Sequence, residues 1–257
     1  MPPVTLRFHR TMGTEASVGT RRAEAIDMQR SEIHAIPLAG DVSFRQRAVE
    51  PERTALLVVD LQKGFYNDEM REREPEHRYL YDRIRDVVIP NGQRLIAACR
   101  SAGIEVVYTV VECLTNDGRD RGLDYKISGI FAAKGSWDAE VIDELGPGDD
   151  DIVIPKTSSS LFNSTNCDYV LRNLGIEYVM VMGMLTDQCV ETAVRDGCDR
   201  GFLMTLVDDA CATHSDERHR EALHGFKGYC RIRTTAELLE ELERMRPSRP
   251  SRLSAAT

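Results

Sequence analysis

Short apolar runs alternate with longer amphipathic segments from about residue 54 to about residue 245. The runs include "TALLVVDLQ", "IEVVYTVVE", "DDIVIPK", "YVMVMGM" and "LMTLVDDAC", and between them lie helical patterns such as "DRIRDVVIPNGQRLIAACRSAG" and "DYVLRNLGI". Strands that are apolar on both faces must be covered on both faces. The alternation therefore predicts an α/β fold with a mostly parallel sheet between layers of helices.

The two ends of the chain lack this alternation. Residues 1–52 mix turn formers and charges without a sustained period, so we expect an N-terminal arm that is partly flexible. Residues 53–245 should form one domain, and residues 246–257, "RPSRPSRLSAAT", should form a disordered tail.

Charge and cysteine usage exclude several classes of protein. The formal net charge is -9, which argues against a nucleic-acid partner. No apolar run approaches the ~20 residues of a membrane span, so we expect no membrane association. The seven cysteines contain no CxxC pair, which fits neither a disulfide framework nor a zinc site. We therefore expect a reduced, cytoplasmic protein without metal or cofactor.

Three reactive side chains follow apolar strands. Asp60 ends "ALLVVD", Lys156 ends "DIVIPK", and Cys189 follows "VMVMGMLTDQ". In a parallel sheet these positions share the carboxyl edge, which is where ligands usually bind. A cation and a helix N-terminus favour a thiolate, and a carboxylate can move its proton. Each residue also has an ordinary alternative: a cap for Asp60, a solvated side chain for Lys156 and a core position for Cys189.

Three segments make the comparison with a known family specific. "ALLVVDLQKGFYND", "VIPKTSSSLFNST" and "GMLTDQCVETAVRDGCDRGF…LVDDACAT" resemble the isochorismatase-like cysteine hydrolases. The resemblance implies a three-layer α/β/α fold with about six strands and a catalytic trio of Asp60, Lys156 and Cys189. It also implies a cis peptide at Met184–Leu185 and an oxyanion hole formed by the backbone N–H groups of Leu185 and Cys189.

The same resemblance narrows the chemistry. Isochorismatases proper do not use the cysteine, and nicotinamidases hold a metal with an Asp and two His. The only histidine between Asp60 and Cys189 is His77. The metal-free branch that cleaves ureides or carbamoyl amides therefore fits best. The stretch "YTVVECLTNDGRDRGLDYKISG" is most similar to its biuret and triuret hydrolases, and relatives of this kind suggest a homo-oligomer, either a tetramer or a dimer.

A ureide is small and rich in N–H and C=O groups, so we expect polar groups in its pocket. The candidate substrate-binding residues are Glu112, Phe65, Tyr66, Asn116 and Gln62. A surface position for Glu112 and ordinary packing for Phe65 and Tyr66 are the alternatives. Tyr229, Arg231 and Arg233 in "GYCRIR" have no assigned role.

Three other functions stay open at this point. Cys189 could be a redox thiol resolved by Cys198 or Cys211, although nine residues along an ideal helix put Cys198 about two and a half turns away. The protein could also be a nicotinamidase-like amidase. A third possibility is an inactive relative that serves as a binding or scaffold subunit.

Overall fold

The structure is a computed structural model that describes residues 42–245. The predicted tail, 246–257, and the first 41 residues of the predicted arm lie outside the described residues. Both domain boundaries therefore stay predictions. Within the described part, no helix has the length and apolar character needed to cross a membrane.

A single six-stranded sheet organises the described residues. The strands run in the spatial order β3-β2-β1-β4-β5-β6, and every neighbouring pair is parallel. The predicted parallel sheet is confirmed. The strands are β1 Thr54–Val59, β2 Glu105–Val111, β3 Ile152–Lys156, β4 Tyr178–Met184, β5 Leu203–Ala212 and β6 Arg231–Arg233.

Helices cover both faces of this sheet. The α-helices are α1 Asp68–Arg73, α2 Arg78–Arg83, α3 Ile89–Ala102, α4 Leu123–Ile127, α5 Leu161–Ser164, α6 Cys167–Asn173, α7 Cys189–Asp199, α8 Asp216–Gly225 and α9 Thr235–Met245. Short 3-10 turns lie at Val42–Gln46, Pro51–Arg53, Pro75–His77, Trp137–Ala139 and Asp143–Leu145. A π-helical turn, Ile84–Val88, joins α2 to α3 just before Pro90, which has no backbone N–H to donate.

The strand β1 shows why the sequence pattern is so apolar. All six of its residues are buried, and successive side chains point to opposite faces. Leu56 and Val58 enter one core with α3 and α9, whereas Leu57 and Val59 enter a second core with α6 and α7. Two hydrophobic cores therefore hold the central strands rigidly, and the site is built at the ends of those strands.

The strands β1 and β4 approach each other closely at their carboxyl ends. Gly183 has a φ of 128°, and a Cβ at this position would lie 2.1 Å from the carbonyl oxygen of Val59. The residue that follows β1, Asp60, has a φ of 54°, which is unfavourable for a residue with a side chain. The backbone thus accepts a strained conformation at Asp60, and its side chain is turned toward the sheet edge.

Candidate active site

Three buried side chains meet at the carboxyl edge of the sheet, at the ends of β1 and β3 and the start of α7. The Nζ atom of Lys156 lies 2.9 Å from Oδ2 of Asp60 and 3.4 Å from Sγ of Cys189. The Thr109 hydroxyl donates to Oδ1 of Asp60 at 2.8 Å. The exposed fractions are 2% for Asp60, 0% for Lys156 and 9% for Cys189. The residues selected from the strand ends therefore form one cluster.

Tyr125 in α4 is a fourth member of the cluster. Its hydroxyl accepts a hydrogen bond from Nζ of Lys156 at 2.9 Å and lies 3.7 Å from Sγ of Cys189. The Ser158 carbonyl accepts from the same Nζ at 3.0 Å. The sequence analysis missed Tyr125, because α4 has five residues and follows a polar segment without a regular period. A tyrosine between polar neighbours in "DYK" was the available signal.

The electrostatics of the cluster favour a neutral thiol at rest. Burial, together with the charge of the Asp60 carboxylate, raises the pKa of Cys189 to about 11. Lys156 and Tyr125 act in the opposite direction. Burial lowers the pKa of Lys156, but the Asp60 carboxylate outweighs this effect, so the net pKa of the lysine is raised. Lys156 thus favours the thiolate as expected, but burial and the Asp60 carboxylate outweigh it, so the net pKa of the thiol is raised.

The loop before Cys189 contains the cis peptide that the family resemblance implies, at Met184–Leu185. The Leu185 carbonyl accepts from the N–H groups of Gln188 at 3.0 Å and Val190 at 3.2 Å, which closes the loop onto the first turn of α7. Leu185 and Cys189 both line the cavity described below. Their N–H groups as an oxyanion hole remain a prediction.

A buried hydrogen-bond network holds this loop against β5 and α8. Nδ1 of His219 lies 2.9 Å from the Thr186 hydroxyl, and Nε2 lies 2.8 Å from Oδ1 of Asp208. The hydrogen bond to His219 lowers the pKa of Asp208. Arg83 reaches the same Nε2 at 3.0 Å. Thr186 is fully buried, so the network fixes the loop at its centre.

A cavity of about 490 Å³ opens above the cluster, within the range of small-molecule sites. Of the predicted substrate-binding residues, Phe65 lines it. The remaining wall is largely apolar with a few polar groups. Its lining residues are Asp60, Phe65, Met70, Glu74, His77, Leu80, Tyr81, Val111, Tyr125, Ser128, Gly129, Ile130, Met184, Leu185, Gln188, Cys189 and His214.

The structure places two of the other predicted substrate-binding residues inside the protein. The Gln62 side chain is fully buried and bonds the N–H and C=O of Val111 at 2.6 and 3.0 Å, so it ties the loop after β1 to β2. Tyr66 packs in the core beside Tyr81, with ring centroids 6.2 Å apart. Neither residue lines the cavity, because the Gln62 side chain bonds the backbone of Val111 and the Tyr66 ring packs in the core.

Glu112 and Asn116 also lie away from the cavity. Val111 lines the cavity, and the next residue, Glu112, points to the other side, as the two-residue period of a strand requires. The Glu112 carboxylate accepts from the N–H of Gly135 at 2.7 Å in a separate cleft, and Asn116 is exposed. The expectation that Glu112 and Asn116 line the substrate cavity is therefore corrected.

The residues without an assigned role now have a place. Arg231 is 1% exposed, and its guanidinium binds both carboxylate oxygens of Glu241 at 2.9 and 3.0 Å. It therefore joins β6 to α9 as a structural ion pair. Arg195 packs over the ring of Tyr229 at 4.5 Å, and Arg233 donates to Gln46 at 3.3 Å.

The cysteines form no disulfide, and the described residues contain no metal-binding cluster. All seven cysteines are free, and burial raises the pKa of Cys211 and of Cys198. Among residues 42–245, no group of three His, Cys, Asp or Glu side chains is placed to hold a metal ion. The expected absence of metal and cofactor stays a prediction.

A parallel α/β sheet whose carboxyl edge carries a buried carboxylate, lysine and thiol defines the class of cysteine hydrolases with an Asp–Lys–Cys trio. The chain belongs to the isochorismatase family, since the Isochorismatase domain model matches residues 54–237. The family predicted from the sequence motifs is confirmed.

Relatives and solved structures are consistent with this assignment. The chain is 31% identical over 244 residues to the ureidoacrylate amidohydrolase RutB of Acinetobacter baylyi, a match that covers 85% of this chain and 90% of that protein. It resembles a solved cysteine hydrolase from Pseudomonas syringae pv. phaseolicola with a TM-score of 0.67 and 28% identity, over 77% of this chain and 96% of that one. The N-carbamoylsarcosine amidase of Thermoplasma acidophilum is also similar, with a TM-score of 0.57 and 28% identity, over 71% and 96%.

Proposed function

We propose that this protein is a cysteine-dependent amidohydrolase that cleaves the C–N bond of a small ureide or carbamoyl amide. The observation that carries the proposal is the position of the Lys156 ammonium, which contacts both Asp60 and Cys189 at the floor of the cavity. The relatives support the substrate class, because ureidoacrylate and N-carbamoylsarcosine both carry a carbamoyl group on nitrogen. Biuret, triuret and ureidoacrylate are the first candidates.

The first half of the proposed reaction forms a thioester. Sγ of Cys189 attacks the carbonyl carbon while its proton passes to the Asp60 carboxylate, which shares the Lys156 ammonium with the thiol. The N–H groups of Leu185 and Cys189 hold the developing oxyanion. The C–N bond then breaks, and Asp60 returns the proton to the departing nitrogen, so ammonia or an amine leaves.

The second half releases the acid. Water attacks the thioester carbonyl, Asp60 accepts a proton from the water, and the C–S bond breaks. The thiol of Cys189 recovers its proton from Asp60. Lys156 keeps its charge throughout and remains the counter-ion of whichever partner is negative.

An ammonia-release screen tests this proposal. The panel is biuret, triuret, ureidoacrylate, N-carbamoyl amino acids, guanylurea and nicotinamide, with amine products followed by mass spectrometry. We expect turnover of at least one ureide, and its loss in Cys189→Ser. The matched control is Cys198→Ser on the same helix, which does not line the cavity and should keep activity. Turnover that persists in folded Cys189→Ser would overturn the proposal, as would hydrolysis of nicotinamide alone.

A different measurement distinguishes the redox alternative from the amidohydrolase function. Treatment with peroxide followed by mass spectrometry should give no disulfide between Cys189 and either Cys198 or Cys211 at high yield. Such a disulfide, together with an inactive ureide panel, would favour the redox alternative.

We also propose that the protein is a homo-oligomer, as a tetramer or a dimer. Five large apolar side chains are 42–77% exposed in the segment that follows β2: Leu114, Leu123, Ile127, Phe131 and Trp137. All five lie within residues 114–137, and contiguous exposed apolar surface often marks an interface between protein chains. Light scattering of the full chain at micromolar concentration tests this proposal, and a monomer would contradict it.

A further inference from the structure

One part of the cavity wall is polar and does not belong to the catalytic cluster. Glu74 at the end of α1, His77 in the following 3-10 turn and His214 in the loop after β5 all line the cavity. The rings of His77 and His214 are 4.8 Å apart. We call these three residues the distal wall. They come from two segments far apart in the chain, so the fold brings them together at the cavity.

The carboxylate of Glu74 is held in place by a hydrogen bond. The hydroxyl of buried Tyr81 donates to its Oε2 atom, which leaves Oε1 for another donor. The nearby cations are engaged elsewhere: Arg71 and Arg78 both pair with Asp82, at 2.7 and 3.1 Å. The distal wall therefore presents a negative charge and an open acceptor to the cavity.

His214 adds a second hydrogen-bonding group. Its Nδ1 atom is buried and has no hydrogen-bond partner among the residues that the structure describes. Burial lowers its pKa, and His77 and Arg218 lower it further. A neutral imidazole offers one N–H donor and one acceptor. A buried ring atom without a partner, next to a cavity, indicates a place for a polar ligand atom.

We infer that the distal wall binds the uncharged end of the substrate, a terminal carboxamide or second urea group, and disfavours a substrate that ends in a carboxylate. A terminal –CONH2 group donates N–H to Oε1 of Glu74, and its carbonyl accepts from a histidine N–H. A carboxylate in the same place lies against the Glu74 carboxylate and cannot donate to it, a mismatch that strongly favours the neutral ligand. This inference rests on the proposed function and narrows it to neutral ureides, in contrast to the anionic ureidoacrylate named for the relatives.

The test compares two substrates that differ in one end group. N-carbamoylglycinamide and N-carbamoylglycine have almost the same size and share the carbamoyl group, but the second is an anion at pH 7.5. Formation of glycinamide and glycine by the full chain is followed by mass spectrometry. We expect kcat/KM to be about tenfold or more higher for the amide. An equal or higher value for the acid overturns the inference, whereas no turnover of any ureide in the wider panel contradicts the proposed function itself.

Two variants assign the preference to Glu74. Glu74→Gln keeps the size and still accepts from Tyr81, but removes the charge, so the amide-to-acid ratio of kcat/KM should fall by about fivefold or more. The control is Glu76→Gln, which removes the same charge from an exposed neighbour that does not line the cavity. A ratio in Glu74→Gln equal to that in Glu76→Gln overturns the assignment. The wild-type comparison still decides the preference if Glu74→Gln fails to fold.

Discussion

Replacement of Lys156 by methionine tests whether the cluster is an ion pair that needs both charges. The lysine is fully buried, and its Nζ atom lies 2.9 Å from a carboxylate that is itself 2% exposed. Removal of one partner leaves the other charge buried without compensation, which typically costs about 3–5 kcal/mol. Domains of this size have a free energy of unfolding of about 5–15 kcal/mol, so the loss is a large fraction of the total.

The double variant Lys156→Met with Asp60→Asn distinguishes the effect of the unpaired charge from the effect of changed side-chain packing. It removes both charges, and the buried polar atoms that remain are neutral, so we expect it to recover part of the lost stability, by about 1–3 kcal/mol. The measurement is urea unfolding at pH 7.5, followed by circular dichroism, with Lys134→Met at an exposed position as the control. Both trio variants should lose activity, so stability is read independently of catalysis.

Two outcomes would refute this reasoning. A single variant within about 1 kcal/mol of wild type would mean that the lysine charge is not needed to bury the carboxylate. A double variant whose loss equals the sum of the losses of Lys156→Met and Asp60→Asn, each measured alone, would mean that the charges are not coupled.

Three further predictions concern the groups around the thiol. Tyr125→Phe removes the hydroxyl that contacts Lys156 and Cys189, and kcat/KM for the best ureide should fall about tenfold without loss of fold; an unchanged value would contradict a role in the cluster. Because the pKa of Cys189 is raised to about 11, its thiolate grows as the pH rises, so alkylation by iodoacetamide should accelerate about tenfold per unit from pH 7 to 10; a plateau near pH 8.5 would contradict the raised pKa. Thr186→Val leaves Nδ1 of His219 without its partner and should destabilise the protein by about 1–3 kcal/mol and lower kcat, whereas Thr186→Ser should restore both; equal unfolding midpoints for the two variants would argue against the network.

The sequence was informative where one physical requirement dominated. Strands buried on both faces have to be apolar throughout, so β1 and β4 were recognisable from composition alone. The carboxyl ends of parallel strands meet at one edge, and Asp60 and Lys156 could be placed together for that reason. Topology and residue type indicated that the two side chains could converge, and in the structure Nζ of Lys156 lies 2.9 Å from Oδ2 of Asp60.

The pocket wall depended on details that a sequence pattern does not contain. Glu112 is one residue beyond Val111, and a shift of one position moves a side chain to the opposite side of the strand. Tyr125 comes from a short helix in a loop, and His214 meets His77 only because β5 ends beside the turn before α2. Such contacts follow from loop paths rather than from a period of two or 3.6 residues.

The arrangement around Lys156 explains how a thiol with a raised pKa can still attack. When the proton moves from Cys189 to Asp60, the negative charge shifts from a carboxylate at 2.9 Å to a thiolate at 3.4 Å from the same ammonium. With an effective dielectric constant of about 20, the two attractions differ by only about 0.8 kcal/mol. The cavity floor thus carries one positive and one negative charge before and after the transfer. Burial therefore opposes ionisation of the thiol into solvent, but it opposes transfer to the neighbouring carboxylate only weakly. The cost that remains is mainly the ordinary pKa difference between a thiol and a carboxyl, about 6 kcal/mol, so the thiolate forms as it attacks the substrate.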